Sequence, residues 1–372
     1  MKFLIITHTP HKILGNQIFA YEPYVREMNL WLENVTVTKV ISPILKRSPR
    51  SIDTFYKSKK VNHINIPGIN FIGIKNKIVS IFNLPFIFYK IFINCFWADH
   101  IHLRCPGNIG LMGCLVQLFF PNKIKTVKYA GNWDPKSKQP LSYRIQKWIV
   151  SNTFLTHNCK VLVYGKWEKQ SKNIFPFFTA TYKESDIITF PIKNLNDRIK
   201  IIFVGAFTKS KQPMLSIKAT QELSRLGYNV ELNMYGDGSE FETIKKYIEN
   251  NNLGKLIFLH GNQEKEIIKK AFQEAHFLIF VSKSEGWPKV VAEAMFWGCV
   301  PISSIVSCIP YMLDYGKRGV LVNPVVDEII VSLEEYIFDE NKYKIISNLA
   351  MDWSQKYTLD LFSKEIKTLI TT

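Results

Sequence analysis

The stretch from residue 277 to residue 303 restricts the fold more than any other part of this sequence. Phe277-Leu-Ile-Phe-Val281 is an apolar run of strand length bounded by polar residues. Ser282-Lys-Ser-Glu-Gly286 interrupts it, and Pro288 suits a first helical turn, where a missing N–H costs nothing. Val290, Val291, Ala294 and Met295 recur at helical spacing, Gly298 can end the helix, and residues 299–303 read as another strand. A strand–loop–helix–strand unit aims a helix N-terminus out of the carboxyl edge of a parallel sheet, where its free N–H groups attract anions such as a diphosphate. Two carboxylates, Glu285 and Glu293, frame that position, and carboxylates accept hydrogen bonds from sugar and ribose hydroxyls. An ordinary crossover with surface glutamates has the same local pattern, so the rest of the chain has to decide.

That rest repeats the alternation. Residues 3–7, 35–41, 62–66, 100–103, 126–130 and 161–164 read as strands, and residues 22–32, 77–97, 110–120 and 143–152 as helices. Strands alternating with helices imply an α/β fold with a doubly wound parallel sheet. Residues 46–60, rich in Lys, Arg and Ser, read as a basic exposed loop. Periodicity fades over residues 183–198, the expected linker, and the pattern restarts at Lys200-Ile-Ile-Phe-Val-Gly205. Strands at 230–235, 256–259 and 319–322, helices at 213–226, 241–250 and 264–275, and two C-terminal amphipathic helices complete it. A chain of 372 residues exceeds one comfortable core, so two domains are expected, 1–190 and 191–354.

Polar clusters fall just after predicted strands in the first half, where an open α/β sheet holds its ligands. After the first comes His8-Thr-Pro-His-Lys-Ile-Leu-Gly-Asn16, in which Gly15 lets backbone approach a phosphate. After others come Arg104-Cys-Pro-Gly-Asn108 and Tyr129-Ala-Gly-Asn-Trp-Asp134. Arg104, Asn108, Asn132, Trp133 and Asp134 are the candidate acceptor-binding residues, although turn chemistry alone uses the same residue types.

Charge is distributed unevenly. Residues 1–190 hold 26 Lys/Arg against 9 Asp/Glu, whereas residues 191–372 hold 22 of each, so the whole excess of +17 lies in the first half. Such asymmetry points to a half that meets something anionic, whether membrane lipid, nucleic acid or a phosphorylated substrate, the alternative being a merely solvated basic surface. No nucleic-acid motif accompanies it, which argues against a nucleic-acid partner. The six cysteines show no CxxC spacing and read as reduced core residues of a cytoplasmic protein. Residues 77–97 are the most hydrophobic long segment, but Asn83, Pro85, Lys90 and Asn94 interrupt them, favouring a buried or membrane-facing helix over a spanning one.

Several positions in the second half coincide with a known family. Val204-Gly205 is followed six residues later by Lys211, and Tyr235-Gly-Asp-Gly238 and His260-Gly261 each follow a strand. Glu285 and Glu293 are separated by seven residues, Gly298-Cys-Val-Pro301 comes next, and Gly316-Lys-Arg-Gly319 opens a late glycine-containing segment. Over residues 200–324 the chain resembles the retaining glycosyltransferases of family four, which have the GT-B architecture of two Rossmann-like domains facing across a cleft. The first half looks like that of bacterial surface-polysaccharide transferases.

The resemblance implies a donor-binding second domain, and a first domain that binds the acceptor and is completed by the C-terminal helix, residues 355–372. It implies that Lys211 binds the donor diphosphate, Glu285 contacts the transferred sugar, the backbone around Gly286, Trp287, Pro288, Lys289 and Val290 holds the β-phosphate, and Glu293 accepts from the ribose. Gly205, Gly236 and Gly261 would line the donor. Ala206 stands where many members carry Arg, which leaves Lys209 as a substitute, and Ser307-Cys308 replaces a glycine-rich turn. No His carries over at Ala130-Gly131-Asn132.

The implied reaction uses a nucleotide-diphosphate sugar as co-substrate, no metal or other cofactor, and a glycan or polyprenyl-diphosphate-linked acceptor at the inner face of the cytoplasmic membrane. The product would be capsule, O-antigen or exopolysaccharide. The alternative is a nucleotide-sugar epimerase of the same two-domain fold.

Overall fold

The computed structural model describes residues 1–50, 52–188, 193–195 and 197–371. It divides into two compact units, Met1–Phe177 with Ser363–Thr372, and Phe178–Phe362.

In the first unit the chain runs β1 (Lys2–Ile6), β2 (Lys12–Leu14), β3 (Gln17–Tyr21), α1 (Glu22–Leu32), β4 (Val37–Ser42), β5 (Asp53–Phe55), β6 (Val61–Asn65) and α2 (Ile74–Trp97). It continues through β7 (His100–Cys105), α3 (Asn108–Val116), β8 (Ile124–Tyr129), α4 (Leu141–Ser151), β9 (Cys159–Tyr164) and β10 (Ile174–Phe177). Seven of these strands form a parallel sheet in the order β10-β9-β8-β7-β1-β4-β6. Its central strands are apolar on both faces because helices cover both: Phe3, Leu4, Ile5 and Ile6 of β1 are all fully buried. Pro176 is tolerated in β10 because that strand lies at the sheet edge.

The other three strands make a small antiparallel sheet, β2-β3-β5, which the sequence pattern did not predict. Its β5 comes from residues 46–60, expected as an exposed loop. There Asp53 receives the ammonium of Lys12 in an ion pair whose side chains are only 4% and 3% exposed.

The second unit runs β11 (Ile199–Val204), α5 (Pro213–Arg225), β12 (Val230–Tyr235), α6 (Phe241–Asn250), β13 (Ile257–Gly261), α7 (Lys265–Glu274) and β14 (Phe277–Phe280). Then come α8 (Lys289–Phe296), β15 (Val300–Ser304), α9 (Ile309–Met312), β16 (Val320–Val322), α10 (Val326–Phe338), α11 (Glu340–Ser354) and α12 (Leu359–Thr371). Three helices therefore follow β16 where two were expected, and α12 carries the chain back into the first unit at Ser363. The sheet is parallel, in the order β13-β12-β11-β14-β15-β16, over a core that includes Phe203, Phe207, Ile217, Phe277, Ile279 and Leu333.

The unit boundaries differ from the expected 190 and 354. Residues 178–186 are held to the second unit by side chains: Phe178 packs edge-on to Tyr357 at 4.9 Å, and Tyr182 contacts Phe296 and Trp297 at 4.8 and 5.2 Å. Asp186 also accepts from Lys269 at 2.6 Å. Of the expected linker 183–198, residues 189–192 and 196 lie outside the described residues.

Candidate active site

In the second sheet the strand order reverses between β11 and β14, and such a switch point is where an open α/β sheet opens a crevice at its carboxyl edge. Two of the candidate residues meet there. Lys211, on the loop after β11, donates to the carboxylate of Glu285, on the loop after β14. The lysine side chain is 25% exposed and the glutamate 8%, and the ammonium also lies 4.9 Å from the centre of the Phe280 ring. The two loops are tied by backbone and side chain, Lys283 N–H donating to Ser210 O at 2.9 Å and Gln212 Nε2 to Val281 O at 2.9 Å, while Ser304 Oγ at the end of β15 holds Ser282 O at 2.5 Å. A cation and a carboxylate are thus held on a stiff frame, which is what a site needs if it is to recognise a diphosphate and a hydroxyl together.

The helix start expected at Pro288 is confirmed within one residue, with Pro288 as the cap of α8 and no side chain capping its first N–H groups. The preceding loop is anchored from an unforeseen direction. Ser307 Oγ and Cys308 Sγ both donate to Gly286 O, at 3.2 and 3.1 Å. Ser307 does so from a left-handed backbone conformation, φ 52°, where glycine is the usual residue. The departure from a glycine-rich turn therefore exchanges backbone ease for a hydrogen bond to the loop before α8. Trp287 is buried beside Trp353 and Tyr357, so what this residue can offer a ligand is its backbone.

Glu293, the residue expected to meet the ribose, has a side-chain partner within the second unit. Thr181 Oγ1 donates to its carboxylate at 2.6 Å, among Tyr182, Phe296, Ser354 and Tyr357. Burial raises its pKa, against the opposing effects of that hydrogen bond and of Lys289. Lys209 is exposed and lines a cavity of about 260 Å³ together with Thr208, Gln212, Glu240 and Lys283. Gly236 answers to packing, since a Cβ there would fall 2.0 Å from Gly205 O. The loops after β11 and β12 touch backbone to backbone, with Gly205 N–H donating to Tyr235 O at 3.0 Å. Gly261 has φ 65° and open space around it.

The first unit corrects several expectations. Gly15 lies in the two-residue turn of the β2–β3 hairpin, with φ 56°, and its glycine is accounted for by that turn instead of a phosphate. Arg104 is buried and committed to Glu27 at 2.5 Å, against the Tyr24 ring. Trp133 is 3% exposed, packs edge-on to Tyr129 at 4.8 Å and donates its indole N–H to Gln170, so it is a core residue with no free edge for a sugar. Asn132 Oδ1 accepts from Asp134 N–H and Asp134 Oδ1 from Lys136 N–H, both turn-closing bonds. Asn108, at the start of α3, is partly exposed and reaches Ile69 O at 3.4 Å.

His8 was overlooked as an individual residue. It follows β1 at this sheet's own switch point, between β1 and β7, and its ring lies on the backbone of Gly107, where a Cβ would fall 2.6 Å from Nδ1. Partial burial and then the charge of Arg104 lower its pKa. Gln146, fully buried on α4, accepts from Gly107 N–H at 3.2 Å and fixes that loop. The sequence signal was available in His8, the first polar residue after Thr7 at the end of a strand, but only strand order shows that this strand borders the switch point.

Residues 185–353 match the family described as Glycosyl transferases group 1. The chain is 24% identical to poly(glycerol-phosphate) alpha-glucosyltransferase of Bacillus subtilis over 49% of this chain and 27% of that protein. It is 29% identical to lipopolysaccharide 1,6-galactosyltransferase of Salmonella typhimurium over 33% of this chain and 35% of that protein. With Protein CapJ of Staphylococcus aureus it shares 26% identity over 66% of this chain and 65% of the other. It thus spans less than two thirds of the length of each of these relatives. Among solved structures, Anabaena HepE in complex with UDP and glucose superposes with TM-score 0.69 at 13% identity, covering 100% of this chain and 99% of that one. Sucrose-phosphate synthase from Thermosynechococcus elongatus gives 0.68 at 15%, covering 100% and 98%. At such identities the likeness is one of fold. The chain has the GT-B fold, and its second unit carries the match to group 1 glycosyl transferases across residues 185–353.

Proposed function

We propose that this chain is a glycosyltransferase that moves a hexosyl group from a nucleoside-diphosphate sugar to a glycan or lipid-linked saccharide, with retention of configuration and no required metal, in bacterial surface-polysaccharide synthesis. The observation that carries the reading is the Lys211–Glu285 pair at the β11/β14 switch point, beside the uncapped start of α8. As the bond between the anomeric carbon and the diphosphate breaks, negative charge grows on the leaving oxygen. Lys211 and the N–H groups of Trp287, Lys289 and Val290 would meet it, a fixed electrostatic arrangement that needs no reorganisation. In this structure Lys211 neutralises Glu285. Arrival of a diphosphate gives the lysine a new partner and leaves the carboxylate for a sugar hydroxyl. Glu293 is assigned to the ribose, with Thr181 holding one of its oxygens.

Acceptor contacts are assigned to Asn108, Asn132 and Asp134, the partly exposed members of the candidate acceptor-binding residues. The names of the relatives, which include poly(glycerol-phosphate) and lipopolysaccharide transferases, support the pathway, and HepE's complex with UDP and glucose supports a nucleotide-sugar donor. Those names are transferases, and nothing among them favours an epimerase. The basic balance of residues 1–190 supports peripheral attachment at the cytoplasmic face of the membrane.

The test is thermal shift against UDP, GDP, ADP and CMP sugars, since a bound donor stabilises the fold by mass action. Lys211→Ala should weaken the stabilising donor by roughly tenfold or more, the usual consequence of losing a charge-assisted hydrogen bond. Glu293→Ala should weaken it as well. Unchanged donor affinity in both variants would sink the site assignment, whereas a loss of stability alone in Glu293→Ala would leave that carboxylate only its bond to Thr181.

A further inference from the structure

Helix α2 is apolar on the side that faces solvent. Ser80, Ile87, Ile91, Asn94 and Cys95 are buried against the first sheet. Ile74, Ile78, Ile81, Phe82, Phe86, Tyr89, Ile93 and Phe96 follow one another at helical spacing along the opposite arc, and all are exposed: Ile74 by 78%, Phe82 by 80%, Phe96 by 63%. Phe119, beyond the end of α3, extends the strip at 5.8 Å from Phe92 and is itself 63% exposed. A water-facing helix is expected to be polar on this side, and an apolar strip of such length marks a surface meant to be covered.

Charge says by what. Between Asp53 and Asp134 the sequence contains one acidic residue, Asp99, and ten Lys or Arg. Lys75 and Lys77 are exposed at the start of α2, Lys90 lies along it over the Phe86 ring, and Lys123 closes its end by donating to Ala98 O at 2.6 Å. An apolar strip bordered by lysines fits the boundary between acyl chains and anionic headgroups, where the strip is buried and the ammonium groups reach the phosphates. The helix has the length and hydropathy of a membrane span, 24 residues with an 18-residue window of mean hydropathy 1.6. Its other face, however, is already occupied by the core of the first unit, so it lies along a surface and does not cross it.

We propose that the outward face of α2 is the element by which the first unit docks into an anionic lipid bilayer. This rests on the peripheral-attachment reading and gives it a location. All six native cysteines are buried, so a single surface cysteine can carry an environment-sensitive fluorophore on the full chain. Labelled Phe82→Cys should shift to the blue and brighten with phosphatidylcholine vesicles containing phosphatidylglycerol, while labelled Lys245→Cys, exposed on α6, should not change. Ile78→Ser/Phe82→Ser/Phe86→Ser should lower vesicle affinity roughly tenfold or more by removing buried apolar area, with the thermal transition and the donor-induced shift unchanged.

Vesicle binding with a silent label at Phe82→Cys would overturn the assignment of α2 and leave peripheral attachment standing. Absence of binding to these vesicles would overturn both, while donor-induced stabilisation would still report on the transferase reading. A blue shift without lipid, accompanied by doubling of the molecular mass, would make a second copy of the chain the occupant and overturn the lipid proposal.

Discussion

Gly236 and Gly261 both end a strand-to-loop step in the second unit, yet different constraints hold them. Both have a positive φ, 130° and 65°, but at Gly236 a methyl group would in addition meet the carbonyl oxygen of Gly205 at 2.0 Å, and backbone cannot swing aside as a side-chain tip can. At Gly261 a methyl group would have room, and only the left-handed φ of 65° opposes it. Gly236→Ala should therefore cost roughly 2–4 kcal/mol by overpacking, and Gly261→Ala about 1–2 kcal/mol from backbone strain. Urea unfolding of the two variants checks this, and equal costs would contradict it. Trp133→Ala should cost roughly 3–5 kcal/mol as a core truncation. The milder Trp133→Phe should leave the acceptor KM unaltered, whereas a sugar platform would show a raised KM. Both cases mark what residue types can and cannot disclose. Glycine after a strand, or Asn-Trp-Asp in a turn, is visible in the sequence. Which atom lies opposite Gly236, and whether the indole N–H of Trp133 finds Gln170, depend on chain segments some thirty residues away.

At the scale of elements, the long strands and helices were legible because period-2 and period-3.6 patterns run through them, and residues 22–32 were placed to the residue. The antiparallel β2-β3-β5 sheet was not. Its strands are three, five and three residues long, too short to show a period, and β5 joins from beyond α1 and β4. Its polar anchor can be tested directly. Lys12 and Asp53 sit almost wholly out of water, so removing one partner strands a charge: Lys12→Met alone should destabilise by roughly 3–5 kcal/mol, whereas Lys12→Met with Asp53→Leu should recover most of it. Thermal unfolding of the single and double variants decides, and a double variant no better than the single would refute this account. The Lys211–Glu285 meeting was legible in part, since both residues were singled out, but the ion pair between them follows from β11 lying beside β14.

Across the whole molecule, histidines set the response to acid. Burial, ahead of neighbouring positive charges where these occur, lowers His11 to about 3 and His63, His100 and His276 to about 4, and holds His102 well below its ordinary value. Each is neutral when folded and, once unfolded, takes up a proton near pH 6.5. The unfolded chain thus binds more protons below that pH, and the stability these residues contribute is present above pH 6.5 and lost progressively towards pH 4. The slope is roughly 1.4 kcal/mol per pH unit for each histidine. Tm should fall steeply between pH 6.5 and pH 5, and a flat profile there would contradict the burial of this set. The strand order of the second sheet has a kinetic consequence as well. Lys211 and Glu285 are 74 residues apart, with α5, β12, α6, β13, α7 and β14 threaded between them. Closing so long a loop is slow and entropically opposed until the strands on both sides have paired. A half-assembled sheet therefore lacks the pair altogether. A ligand that needs both side chains would bind the finished sheet alone, and its binding free energy would act entirely to keep β11 and β14 from parting.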